Sequence, residues 1–285
     1  MQLEDYLNSL PSNTEYIDIS GQNLWVFPTE LISRFKNLKR LNCSKNNLTS
    51  LPLFNNSLRS LYCSNNLLTS LPPLPTNLRS LYCNFNRLTS LPSLNASLFE
   101  IYCHNNRLTS LPSLPPSLQI LDCGSNQLTM LPPLNNSLTY LYCHNNQLTS
   151  LPSLHHVSIY TLDCRNNLLT SLTYCPSFKV VYCNENNGLI SLTGFENYFG
   201  FLEWSETPVY DLLDGNQENI AKWTRFREYY FLSRLKKKLI SWMWKSREER
   251  IKEQFHYKHL IQFMEDNDDN DSADLDPFLE NFCKK

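Results

Sequence analysis

The sequence predicts a solenoid: short parallel β-strands stacked on a concave face, an extended, polyproline-like convex side, and an α-helical region towards the C-terminus. Three observations carry this. A cysteine returns at positions 43, 63, 83, 103, 123, 143, 164 and 183, at five intervals of 20 residues and then one of 21 and one of 19. Around it the wording Leu-x-x-Leu-x-Cys-x-x-Asn-x-Leu-Thr-Ser-Leu-Pro recurs, as in LRSLYCNFNRLTSLP (78–92) and LTYLYCHNNQLTSLP (138–152). The stretches between, such as LPSLPPSLQIL, hold too many prolines for a helix interior. A fixed period of this length marks a unit that buries its apolar residues only against its neighbours.

Residues 1–16 are acidic, carry no signal-peptide pattern, and read as an N-terminal cap segment. The repeats run from 17 to 194 in about nine units, the terminal ones degenerate: YIDISGQNLWVFP (16–28) has Gln22 where later repeats have asparagine, and ELISRFKNL suggests a short helix. Within one unit, Leu78-Arg79-Ser80-Leu81-Tyr82-Cys83-Asn84, alternation sends Leu81 and Cys83 inward and Ser80, Tyr82 and Asn84 outward. The ladder Asn46, Asn66, Asn86, Asn106, Asn126, Asn146 and Asn167 falls where the chain leaves the strand, and inward amides there can satisfy turn backbone groups in their own and adjacent repeats.

These residues resemble the leucine-rich repeat family over about 180 residues, in the short 20-residue type seen in bacterial effector and giant-virus leucine-rich repeat proteins. The resemblance implies a concave parallel sheet and a protein-binding role. Effector relatives often add a ubiquitin-ligase domain with a Cys-x-Asp centre. None of the ten cysteines here stands in that motif, so this activity is not carried over.

The thiol ladder (Cys43, Cys63, Cys83, Cys103, Cys123, Cys143, Cys164, Cys183) reads as core filling. Strands stand about 4.8 Å apart, which is long for a disulfide's Cβ separation of about 3.8 Å, and a linear row of sulfurs cannot converge tetrahedrally on zinc. No metal site and no cofactor is expected. Cys175 and Cys283 lie outside the ladder without an assigned role.

The position before each cysteine then forms an exposed stripe: Asn42, Tyr62, Tyr82, Tyr102, Asp122, Tyr142, Asp163 and Tyr182. His104, His144 and Arg165 follow the cysteines, and Arg59 and Arg79 make the N-terminal rungs basic. Aromatics with few rotamers are favoured where proteins meet partners. Stacked tyrosines can equally stabilise the sheet through their neighbours. His104 and His144 are two repeats apart, as are Asp122 and Asp163, too far to form a metal site or a catalytic pair. No motif of a nucleotide-binding, hydrolytic or zinc enzyme is present, so the chain is expected not to be an enzyme.

Beyond a linker at 195–216, a basic region at 217–264 reads as amphipathic helix, with twelve Lys or Arg against four Glu between Lys222 and Lys258. It can cap the last repeat or bind a partner. The tail, 265–285, is acidic. With a net charge of −2 and no run suited to spanning a membrane, the expectation is an intracellular, cytoplasmic scaffold that binds an unknown protein or peptide on its concave face, without integral membrane association. The alternative is an adaptor whose basic helix docks on a calmodulin-like protein, acidic lipid or nucleic acid.

Overall fold

In a computed structural model the described residues are 3–195, 198, 200–213, 215, 217 and 220. The proposed basic helix and acidic tail lie outside them, apart from Gln217 and Ile220. The chain divides into a solenoid, residues 1–194 and 199–208, and a second unit, residues 195–198 and 209–285. Within the second unit Phe195 meets Tyr198 edge-on at 5.4 Å, and Gln217 Nε2 donates to the Tyr198 carbonyl at 2.8 Å.

The solenoid opens with α1 (Leu3–Ser9), β1 (Tyr16–Asp18) and α2 (Thr29–Ser33). The Arg34 guanidinium donates to the Leu7 carbonyl, which also accepts from Leu10 N, and, at 3.4 Å, to that of Leu10, tying α2 to the end of α1. Strands β2 (Arg40–Asn42), β3 (Ser60–Tyr62), β4 (Ser80–Tyr82), β5 (Glu100–Tyr102), β6 (Ile120–Asp122), β7 (Tyr140–Tyr142) and β8 (Thr161–Asp163) follow one per repeat. Then come β9 (Ser171–Thr173), β10 (Val180–Tyr182), β11 (Ser191–Thr193), β12 (Phe201–Glu203) and α3 (Pro208–Leu212). All strands but β9 and β11 join one parallel sheet in chain order, paired position for position, so that Tyr62, Tyr82, Tyr102 and Asp122 stand side by side.

Alternation sets the layers. In β2 to β8 and β10 the middle residue and the following cysteine are buried, as at Leu61, Cys63, Leu81 and Cys83, while the flanking residues, Asp163 excepted, turn outward. The strands are only three residues long because the next residues turn sharply. Lys45, Asn65, Phe85, Asn105, Ser125, Asn145, Asn166 and Glu185 all take left-handed backbone, with φ between 50 and 57°. Asparagine tolerates this conformation; at Lys45, Phe85 and Glu185 it costs roughly 1 kcal/mol or more, held by the surrounding hydrogen bonds. Each turn aims the next asparagine inward. Asn66 Nδ2 donates to the carbonyls of Cys43 at 3.0 Å and Cys63 at 3.1 Å, and its Oδ1 accepts from Leu48 N at 3.0 Å. The same bracket joins each repeat to the one before it as far as Asn186. Gln22 breaks the series: its side chain turns out to the Ser20 carbonyl.

The convex side is extended from repeat to repeat, without helix between Ser44 and Tyr160. Two stretches differ. Thr173 and Thr193 replace the proline of earlier repeats, and with a backbone N–H restored β9 and β11 pair into a separate two-stranded sheet. The second departure corrects the expected linker at 195–216. Strand β12 lies inside it and pairs in register with β10, adding a tenth strand beyond Gly194. Its repeat has lost the cysteine, whose place Trp204 fills at 5% exposure. No helix among the described residues is long and apolar enough to cross a membrane.

Candidate functional site

The strands place the sequence-predicted residues in rows across the concave face. Tyr62, Tyr82, Tyr102, Asp122, Tyr142, Asp163 and Tyr182 are the last residues of β3 to β8 and β10. The tyrosines are half-buried, and in Tyr62, Tyr82 and Tyr102 neighbouring rings cover one another. Tyr62 stacks on Tyr82 with centroids 4.7 Å apart and Tyr82 on Tyr102 at 4.6 Å, their planes within 23° and 11° of parallel. The spacing follows from strand separation, since identical side chains on in-register strands must meet at that distance. The faces between Tyr62, Tyr82 and Tyr102 are thereby hidden.

Burial, and after it the neighbouring Glu100 carboxylate, holds the Tyr82 phenol well above the usual tyrosine range. Tyr102 and Tyr142 are shifted the same way, burial again first. All three remain hydroxyl donors at physiological pH.

At Asp122 the aromatic row ends and charged pairs begin. His104 Nδ1 lies 2.8 Å from Asp122 Oδ2 on the next rung, and His144 Nδ1 lies 3.4 Å from Asp163 Oδ2. Neither contact has hydrogen-bond alignment, so each works through charge when the imidazole is protonated. Asp163 departs from the expected exposed stripe: it is 3% exposed, held by the Arg165 guanidinium with Nε 3.1 Å from Oδ1 and NH2 2.8 Å from Oδ2. The cause is local. Residues two apart on one strand face share a side, so Arg165 folds back over Asp163 while His144 closes it from the preceding rung. Arg165 also lies 5.3 Å over the Tyr182 ring, which in turn meets Phe201 of β12 at 5.4 Å.

Sequence reasoning treated His104, Asp122, His144 and Asp163 as same-type pairs two rungs apart and missed the diagonal His–Asp contacts between adjacent rungs. One signal was readable. Gly124 interrupts a row otherwise filled by Asn84, His104, His144 and Arg165, and the His144 ring occupies the vacated space: a Cβ at Gly124 would sit 2.3–2.7 Å from it. Gly124→Ala is therefore expected to displace the imidazole from Asp163 while costing only about 1 kcal/mol, because the ring can rotate away. A changed His144 imidazole resonance with a nearly unchanged melting temperature is the observation to look for; an unchanged resonance counts against this packing.

Arg59 and Arg79 stand one residue ahead of β3 and β4, exposed, at the leading edge of the sheet. Behind the face, the ladder thiols of Cys43 to Cys183 are free and buried, and burial pushes Cys43 and Cys83 up to about 12. Cys175 is buried too, its Sγ 3.3 Å from the Val157 carbonyl. Among the described residues no three His, Cys, Asp or Glu converge to hold a metal ion.

The profile of the family described as leucine rich repeats (2 copies) matches residues 36–76, 56–96 and 116–156. No curated protein sequence matches the chain. Among solved structures, YopM from Yersinia enterocolitica is 32% identical, the match covering 70% of this chain and 43% of that one, with a TM-score of 0.62. YopM from Yersinia pestis, described as a leucine-rich effector protein, is 29% identical, covering 72% of this chain and 64% of that one, with a TM-score of 0.61. The chain thus spans less than two thirds of either. The functional domain of InlJ from Listeria monocytogenes, described as including a cysteine ladder, shares the fold at 23% identity, covering 76% of this chain and 58% of that one, with a TM-score of 0.58. Repeats, register and comparisons agree on a leucine-rich repeat solenoid, similar in its repeats to bacterial leucine-rich effector proteins.

Proposed function

We propose that the protein is a non-enzymatic scaffold that binds a protein or peptide partner on its concave face, with Tyr62, Tyr82, Tyr102, Tyr142 and Tyr182 as the main contact row and Asp122, Asp163, His104, His144, Arg59 and Arg79 setting its polarity. The observation that carries this reading is the in-register row of half-buried tyrosines. The rings of Tyr62, Tyr82 and Tyr102 are held by stacking before any partner arrives, which lowers the ordering cost of binding. Effector and internalin relatives with the same repeat architecture support a protein-binding role.

The test is an affinity capture comparing the whole protein, residues 1–216, and a form with Tyr62, Tyr82, Tyr102 and Tyr142 changed to serine, each first shown to fold. A partner retained by 1–216 and lost by the serine form is the expected result. A partner that needs residues 217–285 and ignores the tyrosines would favour the adaptor reading, to which the twelve Lys or Arg between Lys222 and Lys258 point.

A further inference from the structure

We propose that the N-terminal third of the concave face, over β2 to β4, docks a short acidic peptide, an inference that rests on the concave face being the binding surface. Four exposed cations gather there: Arg40 opening β2, Lys45 in the turn after it, and Arg59 and Arg79 leading into β3 and β4. Lys39 is matched by Glu15 at 2.5 Å and Arg40 lies 5.4 Å over the Tyr16 ring, whereas Lys45, Arg59 and Arg79 form no ion pair among the described residues. Beside them stand hydroxyl donors in register, Ser60 next to Ser80 and Tyr62 next to Tyr82.

The tyrosine geometry decides what kind of ligand suits this patch. Because the stacked rings hide the faces between them, an incoming segment meets the edges of rings whose centroids stand 4.7 Å apart. Such a surface donates hydrogen bonds rather than accepting an apolar stack, and carboxylates accept them most strongly beside guanidinium groups.

The sign of the face then changes. In the next rung Glu100 takes the place of Ser60 and Ser80, and one rung later Asp122 takes the place of the tyrosines. The favourable patch therefore spans three strands, roughly 10 Å, or about three extended residues. A nucleic-acid strand continuing along the axis would set its phosphates against Glu100 and Asp122; a short acidic segment ends before them.

The test uses the full chain and a labelled octapeptide carrying four consecutive glutamates, with its glutamine counterpart and a single-stranded oligonucleotide as comparisons. The glutamine peptide is expected to bind about tenfold more weakly or worse, and the joint Arg59→Ala, Arg79→Ala variant to lose a similar factor for the glutamate peptide. Tyr62→Phe, which keeps the stacked ring and removes the hydroxyl, should lose about fivefold. Binding should weaken as salt rises from about 50 to 300 mM. Absent binding of the glutamate peptide, full binding by the arginine variant, or tighter binding of the oligonucleotide would each overturn the inference. A partner that depends on the tyrosines but is not displaced by the glutamate peptide sinks this inference alone, whereas a partner indifferent to the tyrosines sinks the concave-face reading itself.

Discussion

Asn66→Leu will lower the stability of the solenoid by about 3–5 kcal/mol, the cost of stranding several buried backbone groups at roughly 1–3 kcal/mol each. Leucine keeps the branching and the number of side-chain heavy atoms of asparagine but is bulkier, so some overpacking adds to the lost hydrogen bonds. The substitution removes the donor to the Cys43 and Cys63 carbonyls and the acceptor for Leu48 N, at a residue 6% exposed. A fall in melting temperature of about 10 °C is expected, against almost none for Thr69→Ala, whose side chain is exposed in the same repeat. A loss near 1 kcal/mol for Asn66→Leu would mean that the turn holds itself without the bracket. Because the bracket joins two repeats, the weakened interface should also show as raised amide exchange on both sides of it.

The second large effect is alkaline. Burial raises the ladder thiols above their ordinary range, to about 12 at Cys43 and Cys83 and in the same direction at Cys63, Cys103, Cys143 and Cys164. In the unfolded chain the same thiols ionise near 8.5. Below about pH 8 both states hold their protons and the thiols make stability independent of pH. Above it the unfolded chain releases protons that the folded chain keeps, so stability falls by roughly 1.4 kcal/mol per pH unit for each thiol until the folded value is reached. Summed over eight thiols this is roughly 11 kcal/mol per pH unit in a fully cooperative unfolding. The Tyr82 phenol adds to the same trend above pH 10. Denaturant midpoints measured with reductant at pH 7, 9 and 10 should therefore drop steeply between the last two. A flat profile would show that the sulfurs are accessible to water.

The repeated core was legible because one side chain, asparagine or cysteine, answers one geometrical demand at each rung. Conformations that many residue types can fill were not. The left-handed turn holds Lys45, Phe85 and Glu185 as well as four asparagines, so no residue type marks it. Strand β12 escaped because Trp204 stands where cysteine stood, and a change of that volume hides the register. The pairing of β9 with β11 was written in the exchange of proline for Thr173 and Thr193, a signal that carries meaning once the backbone donor is counted. At the concave face the tyrosine row followed directly from alternation. The burial of Asp163 did not, since it depends on Arg165 and His144 folding over it from two different rungs.

The measurement that bears most directly on the central claim is the affinity of a captured partner for the joint Tyr82→Ala, Tyr102→Ala variant, determined by calorimetry beside Met130→Ala, which truncates a side chain 68% exposed outside the concave rows. Removing the centre of the stacked row should weaken binding by about 3 kcal/mol or more, over a hundredfold, with Met130→Ala neutral. Equal affinities for the tyrosine variant and the unaltered protein, with both shown to be folded, would contradict the account.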